Sequence, residues 1–339
     1  MSPLPFSRLF LGLANALLLG AAAAQSPSST PVIGFYKQSF AQGGVYSLVN
    51  GFVTKTDFQG QATATPVVGG VSMTITQTGA GWTNDQFNTF PVGDSSHYLE
   101  VLDDGNATHT GLILDITDNT ASTIIAEVPS GFVPGTNFKY AVRKHTTLET
   151  ALGSSCGLLE DSDAALMFDS VGNEIVALFS TGGVWQNAND LSSLANKVLY
   201  PGQGLILFLA DQRTITMGGG VVSYVKSGPT RISLPEAVPT LVGLINPLVS
   251  SSLSDQNTMN NAGFNLITPD ADFLIRFKED GTLETEREAI YSSAYNSNAG
   301  GLVSASNLLL PVGGEYLRNG SALLYIPASD VSFILPQRH

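Results

Sequence analysis

The second half of the chain contains the same pattern of residues twice. Two aspartates lead into an apolar run in each copy, at Asp161–Phe168 and at Asp270–Phe277. A β-prone run with a proline follows 40 residues after the first aspartate in one copy (161 to 201) and 41 in the other (270 to 311). Short apolar runs between turn residues are typical of β-strands. The duplication therefore predicts two related β units, at residues 144–237 and 238–339.

A further β unit is predicted over residues 32–143. Three β-prone runs follow one another there, His97–Leu102, Gly111–Ile116 and Ser122–Val128. Asp, Asn and Gly residues separate them and favour tight turns. We expect an antiparallel meander that closes into a small barrel or sandwich, because closure hides the edge strands.

The predicted fold class is all-β and mainly antiparallel: a small β-barrel or sandwich, followed by two related β-sandwich-like repeats. One or two short helices are expected, because His145–Leu152 contains helix-forming residues and Gly153 can cap a helix. Tyr200–Gly204 is predicted to be a turn, with proline near its start and glycine where positive φ is needed.

The first 24 residues predict a secretory signal peptide. Leu9–Leu19 is apolar, and Ala22–Ala24 offers small residues for cleavage. An uncleaved anchor is the alternative, but the apolar run is short for a membrane span. Residues 25–31 form a Ser/Pro/Thr-rich lead-in that we expect to be flexible. We therefore expect an exported chain, in the periplasm, on the outer surface or outside the cell, with no membrane span after cleavage.

Charge and cysteine content narrow the choice of partners. The net charge is −13, which opposes binding to nucleic acid or to anionic lipid. Only 13% of the residues are charged and 43% are hydrophobic, which argues against disorder. A single cysteine, Cys156, excludes an internal disulfide.

Four segments occur in a distinctive order along the chain. They are Gly79–Phe87; His97–Leu102 with Asp115–Ile124; His145–Gly153 leading to Asp163; and Tyr200–Leu205 with the return through Pro229–Ile232 to Asn246 and Pro247. This order resembles a family of exported proteins of verrucomicrobial bacteria, which occur as many paralogues. The family pattern has tryptophan where this chain has His145, and the second repeat is the more divergent. The resemblance implies export and a β-rich fold, and it brings no activity or catalytic residues.

Paired aspartates occupy equivalent places in the two repeats, Asp161 with Asp163 and Asp270 with Asp272. Carboxylates before a strand can hold Ca²⁺ together with loop carbonyls. The alternative is a turn or cap, in which the side-chain oxygens accept backbone N–H groups. Calcium is the one cofactor that the sequence suggests.

Four aromatic residues are candidates for a sugar-stacking face, Trp82, Trp185, Tyr291 and Tyr295. Trp185 follows two glycines and precedes a Gln/Asn-rich stretch, and exposed aromatics with such neighbours suit glycan binding. The alternative is that these side chains pack in the core.

No catalytic activity is inferred from the sequence. Gly153–Gly157 fits G-x-S-x-G, but a helix-like segment precedes the serine where a nucleophile elbow needs a strand. Two hypotheses follow: a structural or adhesive protein of the cell surface or extracellular matrix, which binds itself or other surface proteins, or a secreted or periplasmic carbohydrate-binding module. A hydrolase is a distant third.

Overall fold

Antiparallel β-strands make up nearly all of the regular structure. The computed structural model describes residues 34–89, 95–222, 230–243 and 322–335, and between 251 and 317 the six strand segments bounded below. All-β, mainly antiparallel architecture, as predicted, is confirmed. No helix in this described part of the chain is long and apolar enough to cross a membrane.

The strands are numbered in chain order. The first ten are β1 (Gly34–Phe40), β2 (Gly44–Val49), β3 (Phe52–Val53), β4 (Thr56–Gln61), β5 (Val67–Gly69), β6 (Ser72–Thr76), β7 (His97–Asp103), β8 (Ile113–Asn119), β9 (Thr123–Glu127) and β10 (Lys139–Lys144). The next group is β11 (Thr146–Thr147), helix α1 (Leu148–Ala151), β12 (Ala164–Phe168), β13 (Glu174–Ser180), β14 (Val184–Asn187), β15 (Val198–Leu199), β16 (Gly204–Leu209), β17 (Arg213–Val222) and β18 (Thr230–Leu234). The last are β19 (Thr240–Gly243), β20 (Ser251–Ser252), β21 (Phe273–Ile275), β22 (Glu288–Ser292), β23 (Gly301–Ser304), β24 (Asn307–Pro311), β25 (Tyr316–Leu317), β26 (Ala322–Ile326) and β27 (Val331–Leu335).

A seven-stranded sheet, in the order β4-β10-β7-β8-β9-β6-β5, holds the predicted meander. Its strands alternate in burial; in β6, for example, Met73 and Ile75 face inward between more exposed neighbours. The sheet curls, so that its two ends approach each other. The backbone N–H of Thr63, just after β4, donates to the carbonyl of Thr76 at the end of β6 (2.8 Å). Its inner face encloses one hydrophobic core, which includes Trp82, Phe138 and others.

A second core lies against a five-stranded sheet, in the order β14-β13-β12-β16-β2, and a three-stranded sheet, β1-β17-β3. Strands β1, β2 and β3 precede the seven-stranded sheet in the chain, yet they pair with β16 and β17. The start of the predicted unit 32–143 is therefore hydrogen-bonded to strands of the predicted unit 144–237. The domain boundaries themselves stay predictions.

The last sheets belong to the C-terminal part. Six strands pair in the order β19-β26-β21-β22-β23-β24, and two pairs stand apart, β18 with β27 and β20 with β25. In both predicted repeats the strand after the paired aspartates, β12 or β21, pairs with the next strand in the chain. A structural relation between the repeats beyond this pairing stays a prediction.

Helix α1 is shorter than the sequence predicts. Thr146 and Thr147 are extended and pair with β15, so only residues 148–151 are helical. Thr147 is the N-cap, and its side chain and that of Thr150 form a reciprocal capping box. Local capping chemistry therefore starts the helix at Leu148, three residues later than the composition suggests.

Candidate functional site

Asp115, His145 and Tyr200 meet on the face of the seven-stranded sheet that points away from its core. Nε2 of His145 lies 3.0 Å from Oδ1 of Asp115, and the Tyr200 hydroxyl donates to Oδ2 of the same carboxylate. The His145 side chain has no exposed surface and that of Asp115 is 26% exposed. Each residue comes from a different one of the segments that carry the family resemblance. We call these three residues the junction cluster.

Strand alternation places the cluster on this face. Tyr98 of β7 is paired with Asp115 of β8 and with Arg143 of β10. Their sequence neighbours Leu99, Leu114 and Val142 point into the core. Because successive side chains of a strand point to opposite faces, Tyr98, Asp115 and Arg143 share the outer face.

A buried ion pair lies beside the junction cluster. Nε of Arg143 is 2.7 Å from Oε2 of Glu100, whose side chain is 2% exposed. Nη1 of the same guanidinium donates to the carbonyl of Thr54 (2.7 Å). The ion pair and the hydrogen bond give this largely buried pair the partners that make the burial of ionisable groups tolerable.

Tyr98 packs between the ion pair and the junction cluster. Its ring centroid lies 4.9 Å from that of His145, and the Tyr200 ring meets His145 edge-on at 5.1 Å. Burial raises the pKa of the Tyr98 hydroxyl well above its usual value, although Arg143 acts in the opposite direction. The Tyr98 hydroxyl therefore stays protonated, and a neutral phenol packs against the junction cluster.

The hydrogen bond to Asp115 indicates the tautomer of His145. The carboxylate accepts, so the proton of a neutral imidazole is assigned to Nε2. Nδ1 is buried and has no hydrogen-bond partner among the residues that the structure describes. An aspartate–histidine pair of this kind can orient a general base, but a base must reach its substrate. His145 has no exposed surface, so the arrangement acts as a tie between sheets.

The turn that carries Tyr200 contacts all three large sheets. Gly202 has φ 79°, and its carbonyl accepts the backbone N–H of Gly243 at the end of β19 (3.0 Å). A Cβ on Gly204 would stand 2.2 Å from the Cβ of Ala322 in β26, so only glycine permits this approach. The prediction of a turn with glycine at positive φ is confirmed. The turn also joins the sheets that surround it.

The first pair of predicted calcium ligands is engaged in loop hydrogen bonds. Asp163 is buried; its Oδ2 accepts the N–H of Leu159 (2.7 Å) and its Oδ1 that of Ala210 (2.8 Å). Asp161 accepts from the N–H and the hydroxyl of Thr181 (3.0 and 2.5 Å). This is the turn alternative. Within the described residues no three His, Cys, Asp or Glu side chains are grouped to hold a metal ion. Asp270 and Asp272 lie outside the described residues.

The structure corrects the prediction of an exposed aromatic face for both tryptophans. Trp185 is fully buried, and its Nε1 donates to the carbonyl of Leu152 (2.7 Å). Trp82 is 7% exposed and packs edge-on against Phe58 and Phe87. Flanking glycines suggested exposed loops, but the indole surfaces are covered by the two cores. Tyr291 lies on β22, and Tyr295 lies outside the described residues.

Sequence reasoning missed the pairing of histidine with aspartate. Besides His145, His97 has its Nε2 3.5 Å from Asp57, and His109 has its Nδ1 2.7 Å from Asp104. Burial lowers the pKa of His97, and the Asp57 carboxylate acts against that shift. Only the local spacing of Asp104 and His109 could have been noticed in the sequence, because the other pairs join different strands.

Ser96 and His97 are arranged like part of a nucleophilic triad. The Ser96 Oγ lies 2.8 Å from Nδ1 of His97, whose Nε2 faces Asp57. However, Ser96 is fully buried, and its Oγ also accepts the backbone N–H of Thr89 (3.0 Å). Ser96 therefore holds the backbone at Thr89 in place through its hydroxyl group. Cys156 is likewise buried, and burial raises the pKa of its thiol.

The chain matches no family model, no curated protein and no solved structure. The resemblance to verrucomicrobial exported proteins therefore stays a prediction.

Proposed function

We propose that this protein is an exported structural or adhesive component of the cell surface or extracellular matrix. The observation that carries the proposal is that side chains capable of catalysis or metal binding form hydrogen bonds inside the β-sheet structure and hold its parts together. Asp115 joins His145 to Tyr200 across two sheets, and Asp163 binds the backbone of the loop before β12 and that of the β16–β17 turn. Such ties suit a protein whose task is to hold a shape.

The exposed strands and turns support the same proposal. Uncharged hydroxyl side chains bridge neighbouring segments, as in Ser39 with Thr214 (3.0 Å) and Thr120 with Thr123 (2.6 Å). Hydroxyl-rich faces with few charges offer many weak hydrogen bonds to a partner and little electrostatic selectivity. We therefore include self-association and contact with other surface proteins in the proposal, and export through the predicted signal peptide.

Trp82 and Trp185 are buried, so neither can serve as a sugar-stacking residue in the carbohydrate-binding alternative. A glycan array tests what remains of it. Binding that survives in a Tyr291→Ala variant would have to use another surface, and binding that disappears would favour the alternative.

Fractionation of cells that express an epitope-tagged chain tests the proposed function directly. We expect the processed protein in the envelope or matrix fraction, resistant to washing with buffer and released by denaturant. Recovery of nearly all the protein in the cytosol, or free in the medium after a single wash, would contradict the proposal. A tagged periplasmic enzyme in the same cells controls for leakage during fractionation.

A further inference from the structure

The hairpin of β5 and β6 leaves one sheet edge open. Strand β5 is the last in its sheet, and in the described part of the chain no strand pairs with its other side. Val67 on β5 is 70% exposed and Val71 in the hairpin loop is 56% exposed. A Cβ placed on Gly69 or Gly70 would meet no atom of the described residues within 4 Å. The edge is therefore open and apolar.

The register of the hairpin indicates which backbone groups face outward. Gly69 pairs with Ser72 across a two-residue loop, and Gly70 has the positive φ (67°) that the first loop position of a type II′ turn requires. The pair next to such a loop exchanges hydrogen bonds, and pairs alternate along an antiparallel ladder. Val68 therefore directs its N–H and C=O away from β6, toward the open side.

This edge lacks the charges that usually protect an edge strand. No Asp, Glu, Lys or Arg occurs between Asp57 and Asp85, in a chain with a net charge of −13. Exposed sheet edges are normally protected by charges, by proline or by being short, and an apolar edge without charges can pair with another strand over the residues that stay open. Pro66 precedes β5 and limits pairing to the three residues of the strand.

We propose that β5 is a self-association edge, which pairs antiparallel with β5 of a second copy about a two-fold axis at Val68. In that arrangement the two Val68 residues exchange both N–H···O bonds, and each Val67 lies opposite the other copy's Gly69. The proposed occupant is a second copy of the chain. Two chains of net charge −13 repel each other, and a hairpin without charged residues is a place where they can approach with little repulsion. The proposal names the contact through which the structural role proposed above would operate.

The short strand sets the expected strength of the contact. Two hydrogen bonds and four valines make a small interface, so association of free molecules is weak and depends on concentration. Copies held on a surface meet at high effective concentration, so even a weak contact is occupied there. Edge pairing of this kind thus suits pairs of molecules held on a surface better than a stable dimer in solution.

Sedimentation equilibrium of the exported protein over a wide concentration range tests the proposal. We expect reversible association for the unaltered chain, weakened at least about tenfold by Val67→Lys, because the two lysines then lie diagonally across the contact on the same face of the sheet and repel each other. Val171→Lys is the matched control, since Val171 is 69% exposed on a turn elsewhere, and it should leave association unchanged. An equimolar mixture of Val67→Lys and Val67→Glu chains should associate again, because opposite charges then meet.

Two outcomes would overturn the proposal. One is a chain that stays monomeric at the highest concentration reached, and the other is association that Val67→Lys and Val171→Lys affect equally. Circular dichroism of both variants checks that each is folded. The two proposals can fail separately. A monomeric protein that stays on the cell surface after washing would contradict only the β5 contact. A self-associating protein found free in the medium would contradict only the surface role.

Discussion

At the scale of single residues, Trp185 shows how one side chain links packing to hydrogen bonding. Its ring fills the second core 5.1 Å from the Phe179 ring, and its Nε1 donates to the carbonyl of Leu152, which follows α1. A buried indole needs a partner for its N–H, and this one is supplied by the end of a helix. The residue therefore fixes α1 against the five-stranded sheet.

Substitution of Trp185 should lower the free energy of unfolding in two steps. Trp185→Phe removes the hydrogen bond and part of the ring, and we expect a loss of about 1–2 kcal/mol. Trp185→Ala also leaves a cavity, and we expect a loss of about 3–5 kcal/mol. Urea unfolding followed by circular dichroism measures both. Val171→Ala, on an exposed turn, is the control, and an equal effect of Trp185→Ala and Val171→Ala would contradict the assignment of Trp185 to the core.

His97 should make stability depend on pH below neutrality. Its pKa in the folded state is lowered from 6.5 by burial, so between the folded and unfolded pKa values the unfolded chain binds more protons. The free energy of unfolding should therefore fall as the pH drops below about 6.5. The fall that is due to His97 should end once the pH is below the pKa of His97 in the folded state.

Chemical denaturation at a series of pH values measures the effect, and His97→Gln should flatten the curve in this window. An unchanged slope in His97→Gln would exclude His97 as its source. Carboxylates act in a lower window: the hydroxyl of Ser192 lowers the pKa of Asp190 below 3.8, so protonation of that group matters only in stronger acid.

At the scale of elements, the turn between β15 and β16 determines how the sheets meet. Tyr200 reaches Asp115 on β8, Gly202 binds Gly243 on β19, and Gly204 lies against Ala322 on β26. Asn50, in the turn between β2 and β3, adds a side-chain bond from Nδ2 to the carbonyl of Leu199 (2.8 Å). Backbone groups of one turn are thus satisfied by several sheets, which a chain of independent domains would not require.

Gly204→Ala should separate β26 from β16. The added Cβ would stand 2.2 Å from the Cβ of Ala322 and 3.1 Å from that of Leu241, so one of these strands must move. We expect a loss of about 1–3 kcal/mol from overpacking. Gly218→Ala on β17 is the matched control, because a Cβ there meets nothing within 4 Å. Thermal unfolding compares the two, and a Gly204→Ala chain as stable as Gly218→Ala would contradict the close approach.

At the scale of the whole molecule, two hydrophobic cores are joined through a polar interface. Trp82 lies in the core of the seven-stranded sheet and Trp185 in the other, and the chain has only these two tryptophans. The junction cluster connects the sheets that enclose them. Asp115 is its centre, because one carboxylate accepts from both His145 and Tyr200.

Removal of the Asp115 carboxylate should uncouple the two cores. Trp82→Phe leaves fluorescence from Trp185 alone, and Trp185→Phe leaves Trp82 alone, so each background reports one core. We expect the two urea transitions to coincide with Asp115 present and to separate in Asp115→Ala, where the buried His145 and the partly buried Tyr200 lose this acceptor, at a cost of about 1–3 kcal/mol for the buried donor. Transitions that still coincide in Asp115→Ala would show that other contacts couple the cores.

Much of the strand pattern could be predicted because it depends on local order. The predicted runs at residues 97–102 and 122–128 correspond to β7 and β9, since alternation of apolar and polar side chains is a property of neighbouring residues. The turn at Tyr200–Gly204 was predictable for the same reason. Trp82 and Trp185 were candidates for an exposed face and are buried, as the core-packing alternative had it; burial depends on which surfaces cover a side chain in the fold.

The sequence by itself determined that this chain forms short antiparallel strands with turns at its Asp, Asn and Gly clusters, because alternation and turn chemistry act over a few residues. Only the tertiary structure decided which strands are neighbours. Asp115 and Tyr200 are 85 residues apart in the chain. Strands β2 and β16 are direct neighbours, although the whole seven-stranded sheet lies between them in the sequence. Such pairings depend on which distant segments meet when long loops close, and local residue patterns do not specify that.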